Sequence, residues 1–183
     1  MTEADGPWVQ ELLRTWFEEL DQSDWFEPSA YVDAMLRRRF AGVLERLGSE
    51  PPDAFLGDPR TAQAAILLFD QIPRNIFRDD AQAFAWDRLA QALAHGVVER
   101  GWLDCYDQAG RQFALMPLMH SEDLSDQQMS LELFARHAPD AMDFARSHHE
   151  MIARFGRFPH RNPLLGRKSS DAEAQAIADG FSW

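Results

Sequence analysis

Apolar residues recur at helical spacing along most of the chain. From Trp8 to Leu20 they are separated by steps of three and four, which is typical of one face of an amphipathic helix. Ser29 is placed to cap a second helix that ends near Gly48. A third helix is predicted to begin after Asp58 and to stop at Pro73, because proline disfavours helix in the residue before it.

The second half of the chain continues the same pattern. Asp79 or Asp80 is predicted to cap a further helix that Gly96 closes, and Ser170 and Glu173 have the spacing of a capping box for a last helix. No run of β-branched residues alternates with polar ones, so no segment has the sequence pattern of a β-strand. The sequence therefore predicts an all-α protein.

Length and composition fit one globular domain over residues 1–183. The chain is 45% hydrophobic and 26% charged, which is the balance of an ordinary folded protein. A net charge of −12 repels nucleic acid and anionic lipid. No stretch approaches the roughly 18 uninterrupted apolar residues of a membrane span, and the first ten residues lack a targeting pattern. We therefore expect a cytoplasmic protein with no nucleic-acid and no membrane partner.

Cysteine chemistry is restricted to one residue. Cys105 is the only cysteine, which excludes an internal disulfide and any multi-cysteine zinc site. Candidate chemistry therefore rests on three short polar segments.

The first segment, DQIPRN, follows the most apolar stretch of the chain. It places Asp70, Gln71, Arg74 and Asn75 beside an element that is expected to be buried. These side chains could line a binding site. Alternatively, Arg74 pairs with Asp70 or the helix dipole while the two amides satisfy backbone groups of the loop.

The second segment, MPLMHSED, contains His120 and Glu122. In a loop, both side chains could face one cavity, with His120 as a general acid or base and Glu122 as its orienting partner, or as the start of a metal site. The alternative is a helix start, where acidic residues sit favourably at the positive end of the helix dipole.

The third segment, HHEMIARFGRFPHRNPLLGR, concentrates positive charge in an acidic protein. Between Arg146 and Lys168 there are six basic residues and one acidic residue. Arginines hold anions with planar, bidentate hydrogen bonds, so a phosphate or carboxylate site is one explanation and internal ion pairs are the other. The candidate ligand-binding residues here are Arg157, Arg161 and Asn162 with His160, and His148 on the apolar stripe of the preceding helix.

In order and spacing, the three segments resemble the bacterial domain of unknown function 924 family. DQIPRN, MPLMHSEDLSDQ and RFGRFPHRN carry the resemblance, and with the aromatic first helix and the final capping box it covers nearly the whole chain. The resemblance implies a tetratricopeptide-like array or bundle of about eight helices. It implies no reaction and no cofactor.

Three functional hypotheses follow. In the preferred one, the segments converge on a pocket that binds an anionic small molecule, and an enzyme of this kind would be a hydrolase. Its acid or base would be His120 or His160, its orienting group Glu122 or Asp70, and its anion-binding groups Arg74, Arg157 and Arg161. The rival is a non-catalytic module that binds a peptide or protein, with the motifs structural. The third is a metal hydrolase using His120, Glu122, His148 and His160.

Overall fold

Every regular element in the computed structural model, which describes residues 3–181, is a helix. The α-helices are α1 (Trp8–Arg14), α2 (Gln22–Phe26), α3 (Ala30–Leu47), α4 (Pro59–Ile66), α5 (Ile72–Ile76), α6 (Asp87–Glu99), α7 (Gln108–Met119), α8 (Leu124–His137), α9 (Met142–Phe155) and α10 (Asp171–Ala178). The predicted all-α class is confirmed. The outermost residues of the predicted domain, 1–2 and 182–183, lie outside the described part of the chain.

The helix starts follow from local capping chemistry. The Ser29 hydroxyl accepts a hydrogen bond from the Val32 amide at the start of α3, and the Asp58 carboxylate accepts from two amides at the start of α4. Ser170 and Glu173 form the predicted capping box of α10. Each cap satisfies backbone donors that the first turn of a helix leaves without partners.

The helix that begins at Pro59 does not stop at Pro73, so that prediction is wrong. A π turn over Leu67–Gln71 joins α4 to α5, and within it the Ile72 amide donates to the carbonyl of Leu67, five residues back. Pro73 has no amide hydrogen to give and lies in the first turn of α5. The wider turn changes the backbone register just before the proline, and the helical path continues to Ile76.

The α6 prediction also needs correction at both ends. Asp80 caps a short 3-10 turn over Ala81–Phe84, and α6 begins only at Asp87. The helix runs past Gly96, and Gly101, with a φ of 66°, adopts the left-handed conformation beyond its end. A Cβ on Gly96 would lie 2.5 Å from Leu56, so this glycine allows close packing instead of ending the helix.

The packing brings the three polar segments together. The α4, π-turn and α5 stretch is central, with α1, α6 and α7 packed on α4 and with α3 on α5. Helices α7, α8 and α9 pack on one another in chain order, and α10 covers a smaller core formed by Met151, Ile152 and Phe158. The end of α7 packs on the π turn, and the turn after α9 reaches the end of α7, where Arg161 donates to the His120 carbonyl. Among the helices of residues 3–181, none has the length and apolarity needed to cross a membrane.

Candidate functional site

A buried carboxylate and imidazole lie at the centre of the site. Asp70, in the π turn, is fully buried, and its Oδ1 lies 2.8 Å from Nδ1 of His120 at the end of α7. Burial alone would raise the pKa of Asp70, but the charges of Arg74 and His120 outweigh it and lower that pKa well below its ordinary value. Burial lowers the pKa of His120, with the Arg74 and Arg161 charges acting in the same direction, against the opposing effect of Asp70.

These shifts define the protonation of the pair at neutral pH. Asp70 is an anion and His120 is a neutral imidazole whose Nδ1–H donates to the carboxylate. The Gln71 amide donates a further hydrogen bond to Asp70 Oδ2 at 2.5 Å. Because Nδ1 carries the hydrogen, Nε2 of His120 has a lone pair and is the nitrogen that can accept a proton.

Two arginines share one carboxylate beside this pair. Arg74 NH2 and Arg161 NH1 each donate to Asp87 Oδ2 at 3.1 Å. Arg161 NH2 also donates to the backbone carbonyl of His120 at 3.0 Å, which links the third segment directly to the second. The guanidinium of Arg161 lies between the rings of Phe84 and Phe158, 4.6 Å from each ring centre. Burial and the Arg74 charge lower the pKa of Arg161 to about 10.

Two further histidines complete the group. The ring centre of His148 lies 5.9 Å from that of His120, and Nδ1 of His148 donates to the carbonyl of Phe144 at 2.8 Å. Burial lowers the pKa of His148 to about 3, with His120 contributing in the same direction. Burial and Arg161 lower the pKa of His160 to about 4. All three histidines are therefore neutral at pH 7.

Two adjoining cavities open onto these groups, each with a volume of about 460 Å³. Both are lined by Arg74, Arg78, His120 and His148, and we call the two cavities together the central cleft. Of the other predicted residues, Gln71 and Asn75 line the first cavity, and His160 and Arg161 line the second. The volume is within the range of small-molecule sites.

The structure does not form the hypothesised His120–Glu122 pair. Glu122 instead accepts two hydrogen bonds from Arg167, at 2.7 and 2.9 Å, and one from the Phe158 amide at 2.8 Å. Burial works against its ionised form, but these donors lower the pKa of Glu122. Asp70 takes the orienting position because the end of α7 points the His120 ring toward the π turn.

Arg157 and Asn162 are also placed away from the central cleft. Arg157 makes a bidentate ion pair with Glu173 of α10, at 2.6 and 2.9 Å, and Asn162 donates to Ser169 and Glu173. The residues of the third segment therefore fall into two groups. His148, His160 and Arg161 line the cleft, while Arg157 and Asn162 hold α10 in place.

The side chains of the first segment make local hydrogen bonds and also line a cavity. Arg74 donates to the carbonyl of Asp70 at 2.6 Å, and Asn75 donates to the carbonyl of Gln71 at 3.1 Å. These side chains supply hydrogen bonds to backbone groups in the π turn, and the same side chains face the cleft.

The metal-hydrolase hypothesis requires a cluster of side chains that can bind a metal ion. Within residues 3–181, no group of three or more His, Cys, Asp or Glu side chains is arranged to hold a metal ion. Of the four ligands proposed, Glu122 is turned toward Arg167.

Sequence reasoning missed three residues of the site. Asp87 bridges the two arginines, Phe84 covers Arg161, and Arg78 lines both cavities while making a bidentate pair with Asp33. Asp87 and Phe84 stand outside the three segments. Arg78, three residues past DQIPRN and just beyond the end of α5, is the only one of the three next to a predicted segment.

Comparison with known proteins identifies relatives without assigning a reaction. A family model described as a bacterial protein of unknown function, DUF924, matches residues 12–180. A solved structure of a protein of unknown function from Agrobacterium tumefaciens is similar to this chain, with 30% sequence identity and a TM-score of 0.88. The similarity covers 94% of this chain and 97% of that one. No curated protein matches the sequence.

Proposed function

The chain belongs to the DUF924 family of bacterial proteins of unknown function, and we propose that it binds an anionic small molecule in the central cleft, where His120 exchanges a proton. The observation that carries this proposal is the buried Asp70–His120 pair, at 2.8 Å, of which His120 lines the cleft. Burying a charged carboxylate costs free energy, and a helix end needs no such pair for its own stability.

The pair has the chemistry of a general base. Asp70 fixes the tautomer of His120 and stabilises the imidazolium that forms when Nε2 accepts a proton. The neutral state of His120 at pH 7 leaves Nε2 ready for that transfer. Among the described residues that line the cleft, none is serine, threonine or cysteine, so water is the nucleophile in any hydrolysis.

Acyl hydrolysis is the reaction class that these groups fit. His120 Nε2 takes a proton from water as the water oxygen bonds to the acyl carbon. The bond from that carbon to the leaving oxygen then breaks, and His120 returns its proton to the leaving oxygen. The arginines stabilise negative charge that develops on the acyl oxygen.

Anion binding is supported by the surroundings of Arg161. Its Nε is buried and has no hydrogen-bond partner among the described residues, and Arg161 shares the Asp87 carboxylate with Arg74. Arg74 also pairs with Asp70, at 3.2 Å, so the donor that supports binding of an anion in the adjoining cavity is the Nε–H of Arg161.

The test compares a histidine variant in the central cleft with one outside it. His120→Asn keeps an N–H donor for Asp70 but removes Nε2. His95→Asn is the control, because His95 makes a similar 2.8 Å pair with Asp126 and does not line the central cleft. The measurement is the unfolding midpoint with carboxylates and phosphates in excess. At a hundredfold excess over the Kd, a ligand adds about 2.7 kcal/mol and raises the midpoint by roughly 5–11 °C.

We expect one class of anion to raise the midpoint of the parent protein and of His95→Asn. In His120→Asn, the shift should shrink, and ester hydrolysis detected in a screen of that class should disappear. If no anion raises the midpoint, or if His120→Asn responds as the parent does, the proposal is wrong. A negative result with the whole panel favours the rival peptide- or protein-binding module.

A further inference from the structure

The two ends of the central cleft differ in chemistry. Beyond the four shared residues, the first cavity is lined by five large apolar side chains and by four polar ones, of which Glu27 is the one that carries a charge. The large apolar side chains are Trp25, Phe26, Met116, Met119 and Phe144. The second cavity adds His160, Arg161 and Asp79, together with a smaller apolar lining that includes Phe84. We call these the apolar end and the basic end. A ligand that occupies both must itself have an apolar part and a charged part.

Two exposed aromatic side chains meet at the apolar end. Phe26 on α2 is 49% exposed and Phe144 on α9 is 57% exposed, yet both line the same cavity. Phe26 is stacked on Phe113 with an angle of 7° between the rings, so its position is supported from below. Exposed phenylalanines brought together at a cavity mark a surface for an apolar ligand, because each costs free energy in water.

The charge at the basic end limits how much negative charge a ligand can bring. Arg74 and Arg161 already face Asp70 and Asp87, and Arg78 is paired with Asp33. With the histidines neutral, these three cations and three carboxylates cancel, and Asp79 in the lining brings the total to −1. A phosphate monoester carries about 1.5 to 2 negative charges at pH 7, which this balance does not accommodate. A carboxylate carries one and adds less repulsion, and the buried Arg161 Nε–H, which has no partner among the described residues, is a donor for it.

We infer that the ligand of the central cleft is a carboxylic acid with an apolar tail, with the tail against Phe26 and Phe144 and the carboxylate among the histidines and arginines of the basic end. This inference rests on the proposed function and names its ligand class. In the proposed hydrolysis, such a molecule is the acid product or the acyl part of the substrate.

Titration calorimetry with straight-chain carboxylates, from acetate to octanoate, tests the inference. Burial of each methylene is worth about 0.8 kcal/mol, which converts to roughly a fourfold gain in affinity per added carbon. The matching primary alcohols keep the tail and remove the charge, so they should bind at least about tenfold more weakly. Inorganic phosphate serves as the anion without a tail and should bind no better than acetate.

A pair of aromatic variants locates the tail. Phe144→Ala should reduce the gain in affinity per methylene and leave acetate binding unchanged, since the side chain is exposed and is not needed for folding. Tyr31→Ala is the matched control because Tyr31, on α3, is 80% exposed and does not line the central cleft. It should leave the whole series unchanged.

The outcomes separate this inference from the proposed function. If acetate and phosphate bind as tightly as octanoate, the anion site stands and the apolar tail is wrong. If the alcohols bind as tightly as the acids, the inference that the ligand carries a carboxylate is wrong. An equal effect of Phe144→Ala and Tyr31→Ala overturns the placement of the tail. If no member of the series and no other anion binds, both proposals fail.

Discussion

Asp87 determines how two buried guanidinium groups can lie close together. Its carboxylate accepts from Arg74 and from Arg161, and all three side chains are largely shielded from water. Arg161 is held further by the two aromatic rings on either side of it and by the His120 carbonyl. Without the carboxylate, two cations would face each other in a low-dielectric environment where their repulsion is strong. Asp87 is therefore a positioning residue for the basic end of the cleft.

Asp87→Asn should destabilise the protein by about 3–5 kcal/mol, because it leaves two buried cations without their shared anion. Urea unfolding measures this loss. Glu150→Gln is the control, since Glu150 pairs with Arg154 on the exposed face of α9 and should contribute less than about 0.5 kcal/mol. Equal stability of the two variants would show that Asp87 does not stabilise the buried Arg74 and Arg161 side chains.

At the scale of elements, α10 is attached mainly through one buried carboxylate. The Glu173 carboxylate accepts a hydrogen bond from the Ser170 amide in the capping box. It also accepts two from the Arg157 guanidinium and one from the Asn162 side chain. The hydrogen bond from Arg157 is the largest contribution that lowers the pKa of Glu173. These contacts lie at Glu173 and not in the central cleft, so Arg157 supports the fold of the C-terminal segment.

Arg157→Ala should loosen α10 without weakening ligand binding. Hydrogen exchange should become faster for amides of Asp171–Ala178, because Glu173 loses its bidentate partner, while the amides of α4 and α7 keep their protection. Affinity for the carboxylate series should match the parent. If affinity falls while the α10 amides keep their protection from exchange, Arg157 contributes to the ligand site instead.

The sequence predicted helix starts well because a cap is a local feature. Ser29, Asp58 and Ser170 each act on amides within three residues, so their spacing alone identifies the helix start. The π turn was not predictable in this way. Its signal, a proline after an apolar run, is also the signal for a helix end, and only packing on both sides of α4 keeps the chain helical through it.

The candidate site was predictable only in part, for the same reason. Asp70, His120 and Arg161 could be chosen as polar residues beside apolar helices, and the structure brings them together. Which acid orients His120 depends on the direction of the ring at the end of α7, and no spacing argument gives that direction. The role of Asp87 depends on long-range contacts with Arg74 and Arg161, so no local pattern identifies it.

For the whole molecule, the buried histidines link folding to pH. An unfolded histidine has a pKa of about 6.5, whereas burial holds the pKa of His148 at about 3 and that of His160 at about 4. A depressed pKa in the folded state means that the unfolded chain binds more protons below about pH 6.5. Stability is therefore fully present above that pH and falls as the pH drops toward the folded values. The net charge of −12 acts in the opposite direction, because protonation relieves self-repulsion.

The histidine effect should dominate between about pH 7 and about pH 5. Each of His148 and His160 should remove roughly 2 kcal/mol of unfolding free energy at pH 5, since the unfolded chain is then almost fully protonated at these positions. His148→Asn keeps an N–H donor for the Phe144 carbonyl but does not titrate, so the loss of stability between the two pH values should shrink by about 2 kcal/mol. Leu124→Ala, which changes an exposed side chain with no ionisable group, should leave that loss unchanged. Urea unfolding at the two pH values measures all three proteins, and an identical pH dependence in His148→Asn and the parent would mean that His148 is not buried as a neutral imidazole in the folded protein.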